Sequence, residues 1–178
     1  MIKPFEKIET EQLILRKPIL EDAHAVFEGW AQDPEVTRYL VWRPPKRIEE
    51  TKSFIQSCII AWETDKRFPY IVVIKESNQV AGMIDPRIED HKIGVGYVLG
   101  RDHWGKGYMT EASKAVIDWA FQQEETYRVY ATTDVDNIGS QRVLEKSGMV
   151  REGLLQRYMM HPNVSDEPRD CYMYAVVK

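Results

Sequence analysis

From Leu20 onward the apolar residues recur every third or fourth position, at Leu20, Ala23, Phe27, Trp30 and Ala31. That spacing predicts a helix with one apolar face over "LEDAHAVFEGWAQD". Asp33-Pro34 ends it, because a residue before proline is pushed out of the helical region. The same period returns in "IEETKSFIQSCIIAW", with Ile48, Thr51, Ile55, Cys58 and Trp62 on one side. It returns again in "YMTEASKAVIDWAF", with Met109, Ala112, Ala115, Val116, Trp119 and Ala120. A shorter helix is predicted over "NIGSQRVLEKSG", where Asn137 can cap the first turn and Gly148 can close the last. Elsewhere the pattern breaks into short runs rich in β-branched residues, which predict strands. These are "EQLILRKP", stopped by Pro18, then "PYIVVIK", "QVAGMID", "KIGVGYVL" and "RVYATTDV". The tail "GLLQRYMMHPNVSDEPRDCYMYAVV" reads as two strands around a polar, Pro-containing turn. The order is a strand, two helices, three strands, a helix, a strand, a helix and two strands. It predicts a mixed α/β layer structure with an antiparallel meander in its middle.

Composition narrows the function classes. A chain of 178 residues, 43% hydrophobic and 29% charged, fits one domain over residues 1–178 with a sizeable core. The net charge of −4 gives no basic footprint for nucleic acid. No apolar run approaches the ~20 residues of a membrane span, and "MIKPFEKIET" is too charged for a secretory leader. Cys58 and Cys171 read as two reduced thiols of a cytoplasmic protein rather than a disulfide. His24, His91, His103 and His161 lack metal-ligand spacing, so no metal site is expected.

The chemistry concentrates in "DHWGKGYMTEAS", where Gly105 and Gly107 stand between a strand and a helix. Such a turn presents backbone N–H groups at a helix N-terminus, which favours a phosphate. A Walker loop is excluded, since Gly-x-x-x-x-Gly-Lys-Ser/Thr occurs nowhere, and Thr110 takes the place of the third glycine of a dinucleotide fingerprint. In the preceding strand Gly94, Gly96 and Val98 share one face, with Ile93, Val95, Tyr97 and Leu99 on the other. Glycines inside a strand serve either close packing or the close approach of a ligand, and both readings stay open here.

Four blocks together carry a resemblance to a known family: "IETEQLILRKPILEDA", "IGVGYVLGRDHWGKGYMTEA", "DVDNIGSQRVLEKSGMVREG" and "RDCYMYAV". The sequence resembles the GNAT superfamily of N-acetyltransferases, and within it the enzymes that acetylate N-termini of ribosomal proteins. The resemblance implies an α/β (α+β) fold whose mixed, mostly antiparallel central sheet has about seven strands flanked by about four helices. It implies acetyl-CoA as cofactor, its pyrophosphate on the backbone of Trp104, Gly105, Lys106, Gly107, Tyr108 and Met109. It implies that the pantetheine arm pairs with the strand at Val98 and Leu99. Asn137 and Ser140 match the family's Asn-x-x-Ser block, face the arm and thioester, and are the catalytic candidates.

The chain departs from the superfamily pattern at three points. Asp102 stands where the loop usually starts with Gln or Arg. Leu144 stands seven residues after Asn137, where many members carry a tyrosine acid, and "KIGVGYVL" has no glutamate. The acceptor amine must be neutral to attack; an α-amine has a pKa near ~8 and a lysine-type amine near ~10.4, so a chain without an evident base suits an α-amine better. Ser140 is a weak acid, suited to hydrogen-bonding the leaving sulfur or relaying a proton. Glu111, in a first helical turn, reads as structural. The acceptor pocket is expected from the loop "YLVWRPPKR" and the C-terminal turn, with Tyr39 and Trp42 as walls; Arg43, Lys46 and Arg47 either supply positive charge there or are solvated and never meet the substrate, and both readings stay open. A peptide or protein N-terminus is the expected partner. The alternatives are a polyamine- or aminoglycoside-like amine and a silent acetyl-CoA-binding module. The oligomeric state, monomer or dimer, is not legible.

Overall fold

The computed structural model describes residues 4–178, so the first three residues of "MIKPFEKIET" lie outside the described part. The strands are β1 (Lys7–Glu9), β2 (Leu13–Arg16), β3 (Tyr70–Ile74), β4 (Val80–Glu89), β5 (Lys92–Leu99), β6 (Arg128–Asp134), β7 (Val150–Met159) and β8 (Arg169–Val177). They form one sheet in the order β1-β2-β3-β4-β5-β6-β8-β7, antiparallel except between β5 and β6. The sheet has one strand more than expected. β1 carries a single apolar residue, Ile8, too few to show a period, and exists by pairing with β2.

The helices are α1 (Asp22–Val26), α2 (Pro34–Thr37), α3 (Ile48–Ala61), α4 (Tyr108–Gln122) and α5 (Ile138–Lys146). The first differs from its prediction at both ends. Leu20 precedes the helix and is 45% exposed. The Asp22 carboxylate accepts from Ile19 N–H at 2.8 Å and from the Arg16 guanidinium, which fixes the start two residues later. At its end α1 passes into a π-turn, Phe27–Ala31, which buries Trp30 and Ala31. Asp33-Pro34 then opens α2: Asp33 Oδ1 caps Glu35 N–H at 3.0 Å, with proline at the first helical position.

The two faces of the sheet bury separate cores. Leu13, Leu15, Tyr70, Val72, Ile84, Ile93 and Val129 pack against α4 and α5 through Val116, Trp119 and Leu144. Ile71, Val73 and Met83 point the other way, onto Trp30, Ile55 and Cys58 of the α1–α3 layer. Strand alternation divides the residues in this way. Cys58 and Cys171 are buried free thiols. Among the described residues no helix is long and apolar enough to cross a membrane.

One feature of the sheet creates the site. β5 pairs with β4 along its whole length, from Gly82–Leu99 to Glu89–Lys92. β5 and β6 pair in parallel only at Lys92–Arg128, Ile93–Val129 and Gly94–Tyr130. Beyond Gly94 the two strands part, and a wedge opens toward their C-terminal ends.

Candidate active site

The glycine turn closes the wide end of the wedge. Gly105 (φ 74°) and Gly107 (φ 83°) both lie in the left-handed region. A Cβ at either would meet no atom within 4 Å. The backbone conformation, not packing, therefore requires glycine here, and the turn's outer face is open. Its base is held by Gly100 N–H to Ala81 O at 2.8 Å and by Trp104 Nε1 to Leu99 O at 2.8 Å. Gly107 is the N-cap of α4, and no side chain caps the first turn. Those N–H groups are left for an anion. Asp102 is exposed in the preceding 3₁₀ turn. Glu111 accepts from Gln12 N–H at 2.8 Å and Gln12 Nε2 at 2.7 Å, a structural tie from α4 to the β1–β2 loop.

The wedge opens into a cleft of about 1510 Å³ that reaches both faces of the sheet. The strand glycines divide between the two readings. A Cβ at Gly94 would stand 3.0 Å from the Tyr130 ring, so Gly94 makes room for a side chain. At Gly96 a Cβ would meet nothing within 4 Å, and this glycine opens onto the cleft. Across the wedge Asn137 Oδ1 caps Ser140 N–H at 3.2 Å, as its position predicted. The Tyr97 hydroxyl lies 2.8 Å from Ser140 Oγ. Leu144 is buried in the core, well suited to packing and unable to donate a proton.

On the α1–α3 face the cleft has an aromatic wall. Trp42 stands between Trp30 (centroids 6.5 Å) and Phe54 (6.4 Å). The loop after α2 and the β7–β8 turn meet here as expected. Asn163 Nδ2 donates to Thr37 O and to Trp42 O, both at 2.8 Å. Of the two readings of the loop's basic residues, the solvated one holds. Arg43 and Arg47 are 68% and 77% exposed, pair loosely with Asp166 and Glu50, and do not line the cleft, and Lys46 is likewise outside it. The loop turns their side chains outward while Tyr39 and Trp42 turn in. Arg38, Arg67 and Arg87 line the cleft instead, and the last two close on the buried Asp85 carboxylate at 2.9 and 3.0 Å.

His161, from the β7–β8 turn, is buried with Nε2 at 3.7 Å from Asp134 Oδ2 and 3.8 Å from Cys171 Sγ. Burial holds its pKa below the ordinary 6.5, against the pull of Asp134. A depressed histidine leaves the unfolded chain binding the extra proton. The contribution of His161 to stability is therefore level above about pH 6.5 and falls as the pH drops below it. Urea midpoints at pH 7.5 and 5.5 should differ less in His161→Gln than in the parent. An equal drop in both would remove His161 from this role.

Residues 12–150 match the family described as the acetyltransferase (GNAT) domain. The chain belongs to the GNAT acetyltransferases. The N-acetyltransferase p20 of Bacillus licheniformis, itself uncharacterised, is 33% identical over 97% of both chains. The microcin C7 self-immunity acetyltransferase MccE, solved with acetyl-CoA and AMP, superposes with a TM-score of 0.86 at 25% identity, covering 99% of this chain and 98% of that one. The ribosomal-protein-serine acetyltransferase of Escherichia coli is 26% identical over 71% of this chain and 70% of its own. The protein is thus an acetyl-CoA-dependent N-acetyltransferase.

The GNAT cofactor fits what the chain provides: an open left-handed glycine turn, an uncapped helix start and a wedge between two strands. Val98, Leu99, Trp104, Gly105, Lys106, Gly107, Tyr108, Met109, Asn137 and Ser140 all border this one cleft. Met109 also buries its side chain in the core. The cleft residue that the sequence did not single out is Tyr97, whose hydroxyl meets Ser140 Oγ. Strand alternation put it on the face that α5 covers, but nothing in the motif tied it to Ser140.

Proposed function

We propose that this GNAT enzyme acetylates the α-amine of a peptide or protein N-terminus. In this reading the backbone N–H groups from Gly105 to Met109 hold the pyrophosphate. The edge of β5 at Val98 and Leu99 carries the pantetheine arm, and its N–H groups face the developing oxyanion. Asn137 fixes the first turn of α5, and Ser140 hydrogen-bonds the sulfur as the thiolate leaves; a thiol pKa of roughly 8.5 makes that partner useful at neutral pH. The bound cofactor supplies the activated acetyl group, and the cleft orients the amine against it.

The observation that carries the acceptor class is the state of the carboxylates beside the aromatic wall. Asp85 is held by Arg67 and Arg87, and Asp134 by Arg169. Both of these buried carboxylates already have guanidinium partners, so neither is left to draw a polycation into the depth of the cleft. An α-amine needs little: it is already partly neutral near pH 7, about a hundredfold more so than a lysine-type amine. The similarity to a ribosomal-protein-serine acetyltransferase supports the same reading. The test compares kcat/KM for short peptides with free and blocked N-termini, spermidine and kanamycin. Free-N-terminus peptides are expected to lead. Faster turnover of either small amine would replace this reading with the small-amine one.

Two variants probe the two halves of the cleft. Ser140→Ala should lower kcat about a hundredfold, as when one preorganised donor to developing charge is lost, with acetyl-CoA affinity unchanged. Asn163→Ala should raise the acceptor KM about tenfold through loss of two hydrogen bonds that order the aromatic loop, leaving the acetyl-CoA KM alone. A parent-like acceptor KM would show that the loop holds without them.

A further inference from the structure

Tyr97 stands on β5 three residues past the last pair with β6, so its side chain spans the open wedge to the first turn of α5. Its hydroxyl lies 2.8 Å from Ser140 Oγ and 3.2 Å from Ser140 O. We infer that Tyr97 is a positioning residue for Ser140, donating its phenol proton to Ser140 Oγ and so turning the serine proton into the cleft. The inference rests on the reading of Ser140 as the partner of the leaving sulfur.

Three considerations carry it. The phenol has one proton for two acceptors, and the nearer one is Oγ. The Ser140 carbonyl is in the first turn of α5, where a main-chain N–H four residues on supplies its partner. Of the two hydroxyls the phenol is the stronger acid, hence the better donor, and the serine keeps its own proton for a third group. Burial raises the Tyr97 pKa above its ordinary value, which keeps the phenol a donor at working pH. Ser140 is then held by its N–H on Asn137 Oδ1 and by its oxygen on Tyr97, with the proton as its free end. The tyrosine that the family pattern places at position 144 is absent, and this one arrives from the opposite strand with a different task.

The test is a double-variant cycle of Tyr97→Phe and Ser140→Ala. Tyr97→Phe should lower kcat about tenfold, the fold-change of one well-placed hydrogen bond, with KM for acetyl-CoA and the acetyl-CoA thermal shift unchanged. In the Ser140→Ala background it should cost nothing further, because the group it positions is gone. A parent-like Tyr97→Phe beside an impaired Ser140→Ala overturns the inference alone. So do losses that multiply in the double variant, since they place Tyr97 in a separate role. A silent Ser140→Ala overturns the reading of Ser140 and this inference with it. The phenyl ring is retained, so the packing under α5 stays filled, and a fall in the apo thermal midpoint matching the kcat loss would mark a merely structural role.

Discussion

Gly107→Val is expected to abolish the stabilisation that acetyl-CoA gives the parent protein. At ~100 times its dissociation constant a ligand adds about 2.7 kcal/mol, which for a chain of this size is about 5–10 °C in the thermal midpoint. Valine cannot hold φ at 83° without a cost of roughly 1–2 kcal/mol, and β-branching adds to it. The backbone either bears that strain or relaxes out of the left-handed region, and relaxing re-aims the N–H groups at the start of α4. No atom lies within 4 Å of the new Cβ, so the apo protein should lose little beyond the strain itself. Turnover should fall about a hundredfold or more, as when preorganised donors are lost. Differential scanning with and without millimolar acetyl-CoA separates the two effects. A full acetyl-CoA shift in the variant would mean that this turn does not hold the cofactor.

Asp134→Ala is expected to cost about 3 kcal/mol of folding stability. Asp134 is 1% exposed at the end of β6. It accepts from Arg169 Nε at 2.5 Å, Arg169 Nη2 at 3.0 Å and Asp136 N–H at 2.9 Å. Removing it leaves part of a guanidinium charge against a buried surface. The cost sits at the lower end of the range for broken buried pairs because Arg169 keeps Asp136 at 2.6 Å and is itself 22% exposed. Burial works to raise the Asp134 pKa, but the hydrogen bonds from Arg169 and Asp136 N–H outweigh it and hold it below the ordinary 3.8. A depressed carboxylate gives stability that is present above about pH 3.8 and lost as the pH falls through the lower folded value. The parent should therefore show a steeper acid limb than Asp134→Ala in denaturant titrations. Parallel limbs would contradict the assignment.

Much of this architecture was legible because periodicity is local. The face of α4, from Met109 through Trp119, follows from spacing alone, as does the Asn137 cap of α5. The π-turn after α1 was not: it buries Trp30 against the sheet and beside Trp42, contacts that no local period reports. Nor was the wedge: β5 and β6 both read as ordinary strands, and how far two strands pair is decided by what surrounds them. In the site, the glycine turn and the Asn137–Ser140 block stood out because their spacing is short and specific. Gly94 and Gly96 looked alike in sequence and differ only through Tyr130, a residue from another strand. Arg67 reaches the cleft through an isolated bridge to Arg87, while Arg43 in the aromatic loop turns outward. Charge placement in a loop depends on which way each side chain turns, and no period sets that.

The most direct test of the account is a structure of the protein with coenzyme A bound. The pantetheine arm is expected in the wedge between β5 and β6, the pyrophosphate on the N–H groups from Gly105 to Met109, and the sulfur within about 4 Å of Ser140 Oγ. Coenzyme A bound outside the wedge, or a sulfur that Ser140 does not reach, would contradict it.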